Sequence, residues 1–184
     1  MDHEQGMGPS RREWLLAALG LLAGCGGVDS GGTGTGSAST LAVGPITGFG
    51  SIIVNGVRYD DALAAISDDD GVVRTTAELK LGMSAEVIAS AVSVVDGVAT
   101  ASASSIRVRS MIEGPVESID LAAGQLLAIG QKVLIVAGTV FDLGSSVPLA
   151  VGDLIEVHAT LDVARSSYVA TRIEAESDAT TYKL

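Results

Sequence analysis

The sequence predicts an all-β fold of two small barrels in tandem, and three observations carry that expectation. Short runs of alternating apolar and polar residues flank Asn55-Gly56 and Asp96-Gly97, dipeptides suited to the two left-handed positions of a tight hairpin turn. The pattern then repeats after about 70 residues: Gly44-Pro45-Ile46 returns as Gly114-Pro115-Val116, and the block 82–90 returns as 152–160. Aromatic residues make up only 3% of the chain, so Val, Ile, Leu and Ala must fill the core, a composition that favours strands.

Taken in order, residues 51–54 and 57–59 pair across Asn55-Gly56, and residues 85–95 and 98–108 pair across Asp96-Gly97. In the second unit, 126–129 and 132–136 flank Gly130-Gln131, and 154–163 and 168–175 flank a turn at 164–167. Residues 75–79 fit a single helical turn, and no other helix is expected after the first 24 residues. Alternation points Val87, Ala89, Val157 and Ala159 inward and Glu86, Ser90, Glu156, His158 and Thr160 to solvent. Leu79 and Leu81, matched by Leu149 and Val151, precede Gly82 and Gly152, which are expected at bends. About five bent strands in about 65 residues dispose of their edges best by closing, so each unit is expected to form an OB-like barrel, with an open sandwich as the alternative.

Ahead of the barrels the chain reads as an export segment and a leash. Arg11-Arg12, the apolar run 14–22 and the small residues Ala23-Gly24 have the layout of a secretory signal, and the run falls short of the roughly 20 apolar residues that span a bilayer. Leu22-Ala23-Gly24-Cys25 resembles the lipobox of bacterial lipoproteins. That resemblance implies cleavage before Cys25, lipid on its sulfur and acylation of the new amino terminus, and Gly26 after the cysteine implies sorting to the outer membrane, facing the periplasm or the cell surface. Residues 10–16 are similar to the twin-arginine export signature, with Trp14 where Phe is usual. The expected organisation is a signal peptide at 1–24, lipidated Cys25 with a flexible Gly/Ser linker to residue 40, domains at 41–110 and 111–177, and a tail at 178–184. The linker spans roughly 20 Å root mean square. Cys25 is the only cysteine, so no disulfide braces the fold.

Residues 44–60, which run Gly-Pro-Ile-Thr-Gly-Phe-Gly-Ser-Ile-Ile-Val-Asn-Gly-Val-Arg-Tyr-Asp, with Leu81-Gly82-Met83 downstream, resemble the opening of the bacterial domain of unknown function numbered 5666. The likeness covers residues 44–109 and weakens in the second unit, where Glu117-Ser118-Ile119-Asp120 replaces Thr47-Gly48-Phe49-Gly50. It implies an exported OB-like β domain, often in tandem, and brings no catalytic residue.

Charge narrows the function. The chain carries 22 acidic and 11 basic residues. Loss of residues 1–24 removes Asp2, Glu4 and Glu13 on one side and Arg11 and Arg12 on the other, leaving 19 against 9. Such a surface repels phosphate backbones, so nucleic acid is not an expected partner. Asp68, Asp69 and Asp70 form the densest acidic run and a weak divalent-ion candidate, since the alternate spacing of a calcium loop is missing. Phe49, Arg58 and Tyr59, with Arg107 and Arg109, are a weak stacking patch for a glycan, set against a core role for Phe49 and Tyr59. His158, the sole histidine after residue 24, fits a surface position. No nucleophile, acid–base pair or cofactor motif stands out. The expected function is a non-enzymatic binding or scaffold module held to the membrane by lipid, with another envelope protein or a glycan as partner; glycan or cation binding and, further off, hydrolysis are the alternatives.

Overall fold

A computed structural model describes residues 39–144, 148–177 and 182–184. The signal segment, Cys25 and nearly all of the linker lie outside the described residues. Strand β1 (Ser39–Gly48) begins two residues before the domain start expected at 41 and runs antiparallel to β2 (Ile52–Val54), which pairs with β3 (Val57–Asp60). Strand β5 (Ser84–Ser90) lies on the other side of β1 and pairs with β7 (Val98–Arg109). Parallel pairing of β3 with β7, Arg58 opposite Thr100, closes the ring. Two short strands decorate β7: β4 (Ala65–Asp68), parallel to it, and β6 (Ser93–Val95), its hairpin partner. Between β4 and β5 the predicted helical turn appears as a 3-10 turn at Thr76–Glu78, whose Glu78 caps the Thr75 N–H.

The second ring repeats this wiring. It consists of β8 (Ile112–Asp120), β9 (Gln125–Ala128), β10 (Gln131–Leu134), β12 (Leu154–Asp162) and β13 (Ser167–Ala175), closed by parallel β10–β13 pairing, with β11 (Val140–Asp142) added to β13 as β4 is added to β7. The expected all-β class and the two closed five-stranded barrels are what the chain forms. The repeat reaches single hydrogen bonds. Ile46 donates to Met83 and accepts from Gly82, and Val116 donates to Asp153 and accepts from Gly152 in the same way.

The glycine of each Gly-Pro pair has a steric cause. A Cβ on Gly44 would stand 2.5 Å from Asn55 Oδ1, and a Cβ on Gly114 would stand 2.7 Å from Ile129 Cγ1 and Cδ1. In both units the first residue of the β2–β3 or β9–β10 turn lies across the glycine. In the second unit the turn is Ile129-Gly130, one residue earlier than the Gly130-Gln131 expected, with φ of 47° and 68°. Inward Leu126, Ala128 and Val133 set that register, because a one-residue slip would expose all three.

Each long hairpin also carries a bulge. Ser104 and Thr171 are the extra residues of β7 and β13, and they flip the inward set from Ala101 and Ala103 to Ile106 and Val108, and from Ala170 to Ile173. The cores are aliphatic. Val54, Val87 and Ile106 in one barrel and Ile112, Val133, Ile155 and Ile173 in the other are at most 1% exposed.

Candidate functional site

Cys25, the expected lipid site, lies outside the described residues. Asp68, Asp69 and Asp70 sit in the turn after β4, and two of the three carboxylates are already engaged. Asp68 accepts from the Val72 N–H at 2.8 Å and from Arg74 Nε and Nη2 at 3.0 and 2.8 Å, and Asp69 pairs with Lys183. Burial opposes the charge on Asp68, but these donors outweigh it and hold its carboxyl below the ordinary range. Among the described residues no three His, Asp or Glu side chains are arranged to cage a metal ion.

Phe49, Arg58 and Tyr59 do not form one patch. Tyr59 points into the barrel at 2% exposure, Phe49 is half exposed, and Arg58 Nη1 donates to the Gly50 carbonyl at 2.7 Å. Inward Tyr59 follows from the alternation of β3, whose buried position it occupies. Arg109 pairs with Glu86 at 3.6 Å instead of joining them.

The expectation of a surface position for His158 is corrected. Its side chain leaves the outer face of β12 as the alternation requires, yet it is 2% exposed, because the first barrel covers that face. Its Nδ1 lies 2.7 Å from the Arg109 carbonyl. A carbonyl only accepts, so Nδ1 carries the hydrogen of that bond. The Ser84 N–H, at 3.3 Å from Nδ1, is the weaker contact and gives way to that assignment. Nε2 has no hydrogen-bond partner; Glu156 Oε1 and Glu174 Oε1 each stand 3.7 Å from it.

A network of charges surrounds the ring. Arg172, 3% exposed, reaches Glu174 and Asp142 within the second barrel and donates to the Leu81 carbonyl of the first at 3.1 Å. Lys80 crosses the same boundary to Asp142 at 3.0 Å and Glu174 at 3.4 Å. Thr171 Oγ1, from the bulge, donates to the Gly82 carbonyl at 2.6 Å. Burial works against ionisation of Glu174, but His158, Arg172 and Lys80 outweigh it and hold its carboxyl at about 2. His158 Nε2 stands 3.7 Å from that carboxylate, beyond ordinary hydrogen-bond length.

Glu156 and Glu113 are displaced the opposite way. Burial raises both, with Glu174 and Glu176 adding repulsion at Glu156, and Glu156, Glu176 and Asp70 adding it at Glu113. Neither forms an ion pair with Lys or Arg among the described residues. These groups line a cleft of about 470 Å³ between the barrels, with Ala77, Leu79, Met83 and Val108 of the first barrel as its aliphatic wall. Eight carboxylates face three Lys or Arg side chains there. No described hydroxyl is hydrogen-bonded to the His158 ring. The arrangement is built to hold positive charge.

Sequence reading missed this site because its parts are far apart, Lys80 and Glu174 among them. The one available signal was in the repeat. Glu156, His158, Arg172 and Glu174 stand where the first barrel has Glu86, Ile88, Ser105 and Arg107.

A family model described as Domain of unknown function (DUF5666) matches residues 113–174, about a third of the chain and nearly all of the second barrel. The likeness read in the sequence lay on residues 44–109; the unit that matches is the one whose hairpin carries Ile129-Gly130 in place of Asn-Gly. No curated protein and no solved structure matches the chain.

Proposed function

We propose that this chain is an exported binding module, held to a bacterial outer membrane by lipid on Cys25 and presenting a cation-binding cleft between its two barrels. The lipobox-like residues 22–25 and the glycine-rich stretch behind them support the anchor. The cleft supports the binding role, and one observation carries it: the raised carboxyls of Glu113 and Glu156 lie together without Lys or Arg partners beside a buried, unbonded histidine nitrogen. Negative charge in a partly desolvated cleft that its neighbours offset only in part is costly unless a cation arrives. The second barrel supplies the charges and the first supplies the opposite wall. The module therefore needs both barrels, and its activity is retention of a ligand rather than its transformation.

Two measurements test this. Cys25→Ala is expected to move the protein from the membrane to the soluble fraction, and retention of that variant on membranes contradicts the anchor. Thermal-shift assays across cationic, neutral and anionic small molecules are expected to stabilise the chain with cations alone. Stabilisation by anions only would remove the cleft from consideration.

A further inference from the structure

We infer that the cleft between the barrels takes a primary ammonium group carried on a short aliphatic chain, the chemistry shared by linear diamines and lysine side chains. The inference rests on reading the cleft as the binding site, and it selects among cations on three grounds.

The first is size. A cleft of about 470 Å³ falls in the range of small-molecule pockets, roughly 300 to 1,000 Å³, and exceeds the needs of a single ion. The second is the donor set. A hard cation such as calcium wants six or more oxygens around one point, and zinc wants three or four convergent ligands; no described group of three offers such a cage. An ammonium group needs only acceptors in front of its three hydrogens. Glu156 supplies carboxylate acceptors 3.7 Å from the Nε2 of His158, and Glu113 lies opposite it on the neighbouring strand β8. The histidine nitrogen is the observation that acidity alone does not provide. It is buried and unbonded, and the other ring nitrogen is pinned to the Arg109 carbonyl, which leaves Nε2 on the cleft side. The third ground is the opposite wall, where Leu79, Met83 and Val108 offer apolar surface to the methylenes of such a ligand.

The groups that set the charge state of Glu156 are His158 on its own strand, Glu174 and Glu176 from β13 and the segment after it, Glu113 from β8, and Ser110; Glu113 is faced by Glu156, Glu176 and Asp70, which oppose its charge, and by Lys183, which favours it. A bound ammonium stabilises the ionised carboxylates and so releases the protons that burial favours. Binding is therefore expected to strengthen as pH rises above the ordinary carboxylate range and to deliver protons to the buffer when measured near that range.

Isothermal titration calorimetry on the full chain in detergent micelles provides the test, with cadaverine, N-acetyl-lysine amide, calcium chloride and zinc chloride as separate titrants. Both amines are expected to bind, and Glu156→Gln or Glu113→Gln is expected to weaken them about tenfold or more. Neither substitution threatens folding, since each removes a charge that burial disfavours. Cadaverine binding tenfold tighter than the lysine amide assigns a free diamine; equal or reversed affinity assigns a lysine side chain. Binding of a metal ion without the amines overturns the ammonium inference and leaves the cation cleft standing. Amine binding that both Gln variants leave unchanged places the ligand elsewhere and overturns the inference. No binding by any titrant defeats the cleft reading itself.

Discussion

Glu156 and Glu174 are cross-strand partners 3.7 Å from the same imidazole nitrogen, yet their protons are held in opposite ways. The difference lies in where the cations are: Arg172 and Lys80 both reach Glu174, and neither pairs with Glu156. For Glu174, whose folded carboxyl titrates near 2 against an ordinary 4.5, the contribution to stability is present above pH 4.5 and is lost as pH falls toward 2. It amounts to about 3 kcal/mol. Glu174→Gln is expected to forfeit most of this in urea unfolding at pH 7 and to differ little from the parent near pH 2. Glu156 has the reverse sign, because a raised folded value makes its stabilising form the protonated one, complete below 4.5 and lost as pH climbs. Glu156→Gln is expected to raise the melting temperature at pH 7 and to leave it unchanged near pH 4, and a lower melting temperature at pH 7 would contradict the assignment. Little of this was legible in the sequence. Alternation gave the direction of the His158 side chain correctly, but its burial depends on a neighbour 74 positions away at Ser84, and period-two patterning is blind to what covers a strand's outer face.

At the level of strands and turns the sequence was far more readable, because the signals are local. Asn55-Gly56 and Asp96-Gly97 hold the left-handed pairs they were expected to hold. The slip came at Ile129, where a β-branched residue occupies a conformation that ordinarily excludes it. Only the inward demands of Leu126, Ala128 and Val133 put it there. The bulges at Ser104 and Thr171 were invisible for a similar reason: an extra residue is recognised only once the partner strand's register is known. The contrast between the two turns predicts unequal responses to the same substitution. Gly44→Ala can be accommodated if the Asn55 side chain swings away, at the cost of its 3.0 Å bond to the Val43 carbonyl, about 1 kcal/mol. Gly114→Ala meets Ile129 Cγ1, which is fixed close to the backbone, and is expected to cost about 2 to 3 kcal/mol. Equal losses in chemical denaturation would mean that the turn residues are not what excludes a side chain from these glycines.

For the molecule as a whole, duplication and asymmetry meet at one pair of equivalent residues. Gly82 and Gly152 occupy the same place in the two barrels, accept the same backbone wiring and share φ values of +83° and +93°. An added Cβ at Gly152 meets nothing within 4 Å, whereas one at Gly82 collides with the Thr171 carbonyl and stands 2.9 Å from Arg172 Cβ. The first barrel's glycine is therefore a contact point with the second barrel as well as a bend, and the surrounding bonds from Lys80, Arg172 and Thr171 all converge on the same segment, residues 80–82. A Gly152→Ala chain is expected to lose only the strain of a left-handed alanine, about 1 kcal/mol, and to unfold in one transition. A Gly82→Ala chain bears the same strain and also has to push the barrels apart at the point where Arg172 is buried. Separation would leave that guanidinium without its Leu81 acceptor and expose His158 to water. The loss is expected to reach about 3 kcal/mol or more, and the calorimetric transition is expected to split in two as each barrel melts on its own core. Because the cleft exists only where the barrels meet, the same substitution is expected to abolish cation-induced stabilisation while Gly152→Ala retains it. A Gly82→Ala protein that still melts in a single step and still responds to cations would show that the barrels are held together by something other than this segment.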